Sequence, residues 1–187
     1  MDEGIYTDEQ IIKKILHGEV DLYKIIVEKY QQYIFNLGMR FHKNREDAYD
    51  FVQDVFLKAY EKLHTFRGTS KYFSWLVRIA YNHGINSAKT KIIDSSLVET
   101  YIKSDDATPE ETHLREELRK ALLKAVEALP EKYRLCIDLY FFYGLSYREI
   151  EMITDIPLNT IKSNMLRAKI ILRDTLRGGI ADEHHKL

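Results

Sequence analysis

The sequence predicts an all-α protein: two small helical domains joined by a flexible acidic linker. Three observations carry that prediction. Gly occurs eight times and Pro three times in 187 residues, so long stretches lack both of the residues that most often interrupt helices. Apolar residues recur at three- and four-residue spacing through most of the chain instead of alternating. Around residues 95–108 that periodicity fades into polar, acidic sequence. The expected division is residues 1–91 for the first domain, 92–112 for the linker, 113–178 for the second domain and 179–187 for a tail.

In chain order, Ile11, Ile12, Ile15 and Leu16 form one helical stripe. Leu22, Ile25, Ile26, Tyr30, Tyr33 and Ile34 form the next, after a break at residues 17–21 where Gly18 suits a helix end and Asp21 a cap. A short polar link at residues 41–45 precedes the strongest helix, residues 46–63, whose inner face is Ala48, Phe51, Val52, Val55, Phe56, Ala59 and Leu63. A loop at residues 65–69 leads into a helix over residues 70–90, with Phe73, Leu76, Val77 and Ala80 inside. In the second domain Leu114, Leu118, Leu122, Val126 and Leu129 repeat at helical spacing, and Pro130-Glu131 starts a new helix. Residues 135–143 are apolar enough for a core helix that Gly144 ends. Residues 146–177 then read as a short helix, a break at Asp155-Ile156-Pro157 and a longer helix, the pattern of a helix-turn-helix.

Composition narrows the function classes. With 45% hydrophobic and 30% charged residues the chain is expected to be soluble and globular. It has no apolar run long enough for a bilayer, and its N-terminus, MDEGIYTDEQ, is unlike a secretory signal, so the expected location is cytoplasmic with no membrane insertion. The lone Cys136 sits in an apolar run and reads as a buried structural residue. No Gly-rich nucleotide loop, metal-ligand spacing or Ser/His/Asp arrangement stands out; His184-His185 could chelate a metal, but an exposed pair of this kind is more often inert. No cofactor, no metal and no enzymatic activity are expected.

Net charge is −1, low for a protein that binds duplex DNA alone. The charge is instead segregated. Residues 62–93 contain no acid but carry Lys62, Arg67, Lys71, Arg78, Lys89 and Lys91, whereas residues 94–112 hold six acids against Lys103 alone. Such alternation asks for more than one partner.

Three helix faces are candidates for binding. With Lys162 at 0°, Ile161, Met165, Ala168 and Leu172 fall between about −120° and −60°, a buried stripe. Lys162, Ser163, Leu166 and Arg167 fall between about 0° and 140°, an outward stripe. An apolar Leu166 among cations gains nothing in water but suits a thymine methyl, with Lys162 and Arg167 for guanine or phosphate. In the first domain Arg78, Asn82, Asn86 and Lys89 share one arc of their helix, with Tyr72, Phe73 and Trp75 nearby. Aromatics interleaved with cations and amides suit unstacked bases, although core packing explains the same rings. The outer face of the helix at residues 46–63 shows Asp47, Asp50, Gln53, Asp54, Lys58 and Glu61. An acidic face repels DNA and suits a protein surface or solvent.

Together four segments resemble bacterial sigma factors of the small extracytoplasmic-function type: EDAYDFVQDVFLKAYEKL (46–63), FRGTSKYFSWLVRIAYNHGIN (66–86), ALPEKYR (128–134) and GLSYREIEMITDIPLNTIKSNMLRAK (144–169). The resemblance runs from about residue 8 to 177. It implies a sigma region 2 domain, a sigma region 4 helix-turn-helix, and transcription initiation with core RNA polymerase. It assigns Asp47, Asp50, Gln53 and Asp54 to docking on a coiled coil of the largest polymerase subunit. It assigns Phe66, Arg67, Ser70, Tyr72, Trp75, Arg78, Asn82, Asn86 and Lys89 to the single-stranded, melted −10 element. Thr160, Lys162, Ser163, Leu166 and Arg167 would read the −35 element as duplex, and an anti-sigma factor is an expected partner. The chain departs from the family pattern at Thr69, Gly84, Asn86, Lys89 and Asn164. The competing reading is a stand-alone helix-turn-helix regulator, which would need a ligand pocket or phosphoacceptor pattern in the first domain. A helical adaptor with no nucleic-acid role is a third, disfavoured by the acid-free segment and Leu166.

Overall fold

The computed structural model describes residues 6–42, 44–88 and 109–184, and the chain divides into two compact units, residues 1–96 and 97–187. Among the described residues there are eight α-helices and no strand.

In the first unit α1 (Asp8–Leu16) begins at a capping box. Thr7 Oγ1 accepts from the Gln10 backbone N–H at 3.3 Å, and Gln10 Oε1 accepts from the Thr7 N–H at 2.8 Å. Ile11, Ile12 and Ile15 are buried, whereas Leu16 is half-exposed. Gly18, at φ +106°, ends the helix where a side chain would strain the backbone. A 3₁₀ turn, Val20–Leu22, leads into α2 (Tyr23–Phe41), which has no side-chain cap. Asp21 lies in that turn and does not cap the helix, contrary to its reading as a cap.

Helix α2 is the spine of this unit, packing on α3 (Arg45–Glu61) and α4 (Tyr72–Ala88). Ile26, Ile34, Leu37, Val55, Leu76 and Val77 are fully buried between the three, each contributing about 1.5–3 kcal/mol of apolar transfer. Asn44 starts α3, its Oδ1 accepting from the Asp47 N–H at 2.7 Å. Close approach depends on two glycines. A Cβ on Gly38 would lie 2.9 Å from the Phe51 ring, and one on Gly84 only 2.2 Å from the Phe41 ring.

The second unit contains α5 (Pro109–Glu127), α6 (Glu131–Ile137), α7 (Tyr147–Thr154) and α8 (Leu158–His184). Ala125, Val126 and Leu129 are buried, but Leu118 and Leu122 are 57% and 36% exposed, so the apolar repeat of α5 is only partly core. The side chain of Leu114 lies outside the described residues. After α6 the backbone widens into one π-helical turn, Asp138–Phe142, where the Tyr143 N–H reaches the Asp138 carbonyl at 3.1 Å. The extra residue leaves Cys136, Ile137, Leu139 and Tyr143 buried while Tyr140 and Phe141 face out. Gly144, at φ +61°, then ends the segment.

Helix α7 starts at a second capping box. Glu149 Oε2 accepts from the Ser146 N–H at 2.8 Å, and Ser146 Oγ accepts from the Glu149 N–H at 3.3 Å. Asp155 closes α7 in the left-handed conformation, φ 57°. Glu151 ties the turn together: its carbonyl accepts from the Asp155 N–H at 2.9 Å and its carboxylate from the Leu158 N–H at 2.8 Å. That carboxylate sits at the positive end of α8. Helix α8 continues to His184, past the expected start of a tail.

Candidate nucleic-acid and protein interfaces

The face of α8 follows from what α5, α6 and α7 cover. Ile161, Met165 and Ala168 are buried and Leu172 is half-buried. Thr160, Lys162, Ser163, Leu166 and Arg167 are all exposed, Leu166 at 63%. Ser163 Oγ donates to the Asn159 carbonyl at 2.9 Å, so its lone pairs remain turned outward. Further along, Lys169 lies 5.7 Å from the Phe141 ring centre and Arg173 pairs with Asp174 at 3.0 Å. Asn164 points the other way. It is 6% exposed, with Nδ2 3.5 Å from the Lys132 carbonyl and 3.8 Å from Cys136 Sγ. At this position the chain has an inward amide that holds α8 to α6.

In the first unit Gly68, at φ +69°, turns the loop ahead of α4. Arg67 is exposed, while Phe66, Ser70 and Trp75 are half-buried. Tyr72 is fully buried, with ring centres 5.5 Å from both Phe66 and Trp75. It forms the floor under those rings and cannot touch a base at the surface, so its part is support. Phe73 is also packed, stacked at 4.9 Å on Tyr30. Arg78, Asn82 and Asn86 are exposed along one side of α4, and Lys89 lies outside the described residues. Arg78, Asn82 and Asn86 border a cleft of about 370 Å³ that also includes Lys58, Lys62, Trp75, Ile79 and His83.

The outer face of α3 presents Asp47, Asp50, Gln53 and Asp54, all exposed. Asp47 is partly engaged in the helix start, its Oδ2 accepting from Asn44 Nδ2 at 3.1 Å. Asp54 reaches across to α4, with Oδ2 3.3 Å from His83 Nε2. The other ring nitrogen, Nδ1, lies 2.6 Å from Lys58 Nζ, and the ring stacks 5.2 Å from Phe51. A charged lysine can only donate, so Nδ1 accepts and the ring proton sits on Nε2, toward Asp54. Burial, reinforced by the Lys58 charge, holds the His83 pKa below its ordinary value; the Asp54 carboxylate opposes this without reversing it. Sequence reasoning missed His83, because its partners lie on another helix.

It also missed a groove between α2 and α3. About 1010 Å³ in volume, the groove is lined by Tyr23, Val27, Val52, Phe56, Leu57 and Tyr60 beside Gln53. Leu57 is 59% exposed there, which puts an apolar strip next to the acidic face. Among the described residues no group of three or more His, Cys, Asp or Glu side chains could hold a metal ion. No helix among them is long and apolar enough to cross a membrane.

Comparison with known proteins agrees with this layout. Residues 26–91 match the family model of sigma-70 region 2, and residues 119–172 match that of sigma-70 region 4. The chain is 33% identical over 174 residues to the ECF RNA polymerase sigma-E factor of Escherichia coli K12, covering 87% of this chain and 91% of that protein. It is 32% identical over 177 residues to the RNA polymerase sigma-H factor of Pseudomonas aeruginosa, covering 87% and 90%. Among solved structures, the sigma factor RpoE in complex with the anti-sigma factor NepR, from Bartonella quintana, shares the fold. Its TM-score is 0.61 at 21% identity, over 83% of this chain and 96% of that one.

Proposed function

The chain belongs to the sigma-70 family, as an alternative sigma factor that directs RNA polymerase to promoters, and we propose that it does so through three surfaces. The α8 stripe of Thr160, Lys162, Ser163, Leu166 and Arg167 reads the −35 element as duplex in the major groove. Exposed Leu166 between Lys162 and Arg167 carries this reading, since it combines an apolar contact for a thymine methyl with donors for guanine and phosphate. Phe66, Arg67, Ser70, Trp75, Arg78, Asn82 and Asn86 hold the melted −10 strand by stacking and amide hydrogen bonds, above the floor made by Tyr72. Lys89 would extend this surface.

The acidic face of α3, with Asp47, Asp50, Gln53 and Asp54, docks on the coiled coil of the largest polymerase subunit. An exposed apolar strip beside charged residues is what a helical partner requires. An anti-sigma factor is the second protein partner; the Bartonella relative is a complex of that kind, and the same groove offers this chain a place for one. The site of action is the cytoplasm, and the chemistry of RNA synthesis belongs to the polymerase. A stand-alone regulator fits less well, because residues 26–91, most of the first unit, match sigma region 2.

The direct test is transcription by core polymerase on a promoter library with and without the protein. Initiation at a restricted set of promoters, lost on Asp50→Ala or Asp54→Ala through weaker polymerase binding, is the expected result. Unchanged initiation in those variants removes the docking assignment. No sequence-dependent initiation removes the reading as a whole.

A further inference from the structure

We propose that His83 is a positioning residue for polymerase docking: it holds the Asp54 carboxylate on the outer face of α3, and Lys58 fixes which ring nitrogen faces that carboxylate. This rests on the reading that Asp54 meets the polymerase, and adds what orders Asp54 before the encounter. Asp54 stands on an open helix face, its side chain 59% exposed, with Oδ2 3.3 Å from His83 Nε2 on α4. A carboxylate has about four lone-pair sites, so one bond to the ring leaves the outward sites for a cationic partner. The ring is itself well held. It stacks 5.2 Å from Phe51, and its Nδ1 accepts from Lys58 Nζ at 2.6 Å.

The order of this array decides what it does. A neutral imidazole carries one N–H, and either nitrogen can be the acceptor. By sequence Lys58 belongs to the acidic outer face of α3, but it is half-buried and turned to the ring. Its ammonium only donates, so the ring proton lies on Nε2 and points at Asp54. The opposite tautomer would set a lone pair against the carboxylate. Asp54 therefore keeps its full charge but gives up rotamer freedom before a partner arrives, so less is lost on binding. Protonation of the ring changes this balance. An imidazolium offsets the negative charge that attracts a cationic surface, and Lys58 loses its acceptor. The charged and titratable groups facing the ring are Asp54 and Lys58 from α3 and His42 from the end of α2, with Lys62 and Arg78 lining the same cleft. Burial, then the Lys58 charge, keeps the ring neutral to lower pH than an ordinary histidine.

The test measures the affinity of the full chain for core polymerase, without promoter DNA, over a range of pH. Above pH 6.5, His83→Leu should weaken docking by about 2- to 10-fold, the fold-change for one side chain's lost order. His83→Gln, whose carbonyl can accept from Lys58 and whose amide can donate to Asp54, should keep wild-type affinity. In an Asp54→Ala background His83→Leu should cost nothing further, because the group it positions is gone. Relative to His83→Gln, wild-type affinity should fall as pH drops below 6.5 through the lowered value of the ring. Lys58→Met should move that fall to higher pH, since the ring then protonates without a neighbouring cation.

Asp54→Ala alone separates this inference from the docking reading beneath it. If that variant binds polymerase like wild type, the docking role of Asp54 falls and takes the inference with it. If Asp54→Ala weakens docking but His83→Leu does not, only the inference is overturned. A loss in His83→Leu that persists without Asp54 shows a merely structural ring and overturns it as well. So do coincident pH curves for wild type and His83→Gln.

Discussion

At Gly84 a methyl group cannot fit without movement. Its Cβ would lie 2.2 Å from the Phe41 ring, so α4 and the end of α2 approach through the missing side chain. Gly84→Ala should destabilise the protein by about 1–3 kcal/mol through overpacking, more than offsetting the gain in helix propensity. Urea denaturation measures this, and Phe41→Leu in the Gly84→Ala background should recover part of the loss. A wild-type midpoint for Gly84→Ala would mean that the ring moves aside at no cost. At His83 the expected effect depends on pH. Its folded pKa lies below the ordinary 6.5, so between the two values the unfolded chain binds more protons than the folded one. Stability from this group is present above pH 6.5 and is lost as pH falls through the lowered folded value. Wild-type thermal stability should thus fall faster than that of His83→Gln on acidification below that point; parallel curves would show that the ring does not titrate differently on folding. How legible these residues are depends on where their partners lie. The α8 stripe can be read directly because it is set by one helix. Asn164 was legible too: at 100° per residue it falls about 40° from Ala168, on the edge of the buried stripe. The Lys58–His83 contact, across 25 residues and two helices, depends on packing that no local pattern contains.

Among the elements, the break at Asp155-Ile156-Pro157 was the easiest to read, and other helix ends carry local signals of the same kind. The capping boxes at Thr7 and Ser146 and the left-handed Asp155 mark helix ends in the residues themselves. Periodicity alone was less informative. In α5 it put Leu118 and Leu122 on one stripe with the buried Val126, but a stripe of leucines records that a face is apolar, not what covers it. Likewise the run at residues 135–143 reads as one core helix, whereas the π turn shifts its register and turns Tyr140 and Phe141 outward. The helix-turn-helix combines both kinds of signal, and its prediction belongs here. The turn is held by Glu151, which bonds to Asp155 and Leu158, so α8 leaves α7 in a fixed direction. Arg167 then projects from a rigid element, and a bidentate contact to guanine requires that rigidity. Arg167→Ala should cost about 1–3 kcal/mol at promoters with the preferred base and relax the preference at one −35 position. Binding measured on a panel of −35 variants distinguishes this from a phosphate contact, for which the loss is equal on every sequence.

At the scale of the whole molecule, the decisive quantity is charge. The chain carries 28 Lys and Arg against 29 Asp and Glu, yet the signs are sorted along its length. Residues 62–93 are free of acids, whereas residues 94–112 and the outer face of α3 are rich in them. Duplex binding gains most of its affinity from releasing counterions, and a near-neutral molecule with an acidic linker gains little. Each unit alone also offers a small reading surface: five exposed side chains on α8, and a cleft of about 370 Å³ on α3 and α4. Two weak contacts become strong only when something fixes their separation, because the second then forms at high effective concentration. Under the proposed function core polymerase would supply that constraint by engaging the α3 face. The free chain should therefore bind duplex promoter DNA only weakly at physiological salt, with a dissociation constant of about 10⁻⁶ M or weaker and little preference for promoter sequence. Adding core polymerase should produce tight, sequence-specific binding. Replacing the linker acids Asp94, Glu99, Asp105 and Asp106 with Asn and Gln should raise free-chain affinity on all sequences alike. Fluorescence anisotropy with labelled promoter and scrambled duplexes, with and without polymerase, measures all three. Nanomolar, promoter-specific binding by the free chain would show that its two reading surfaces are already held at the right separation, and polymerase would then not be what makes it specific.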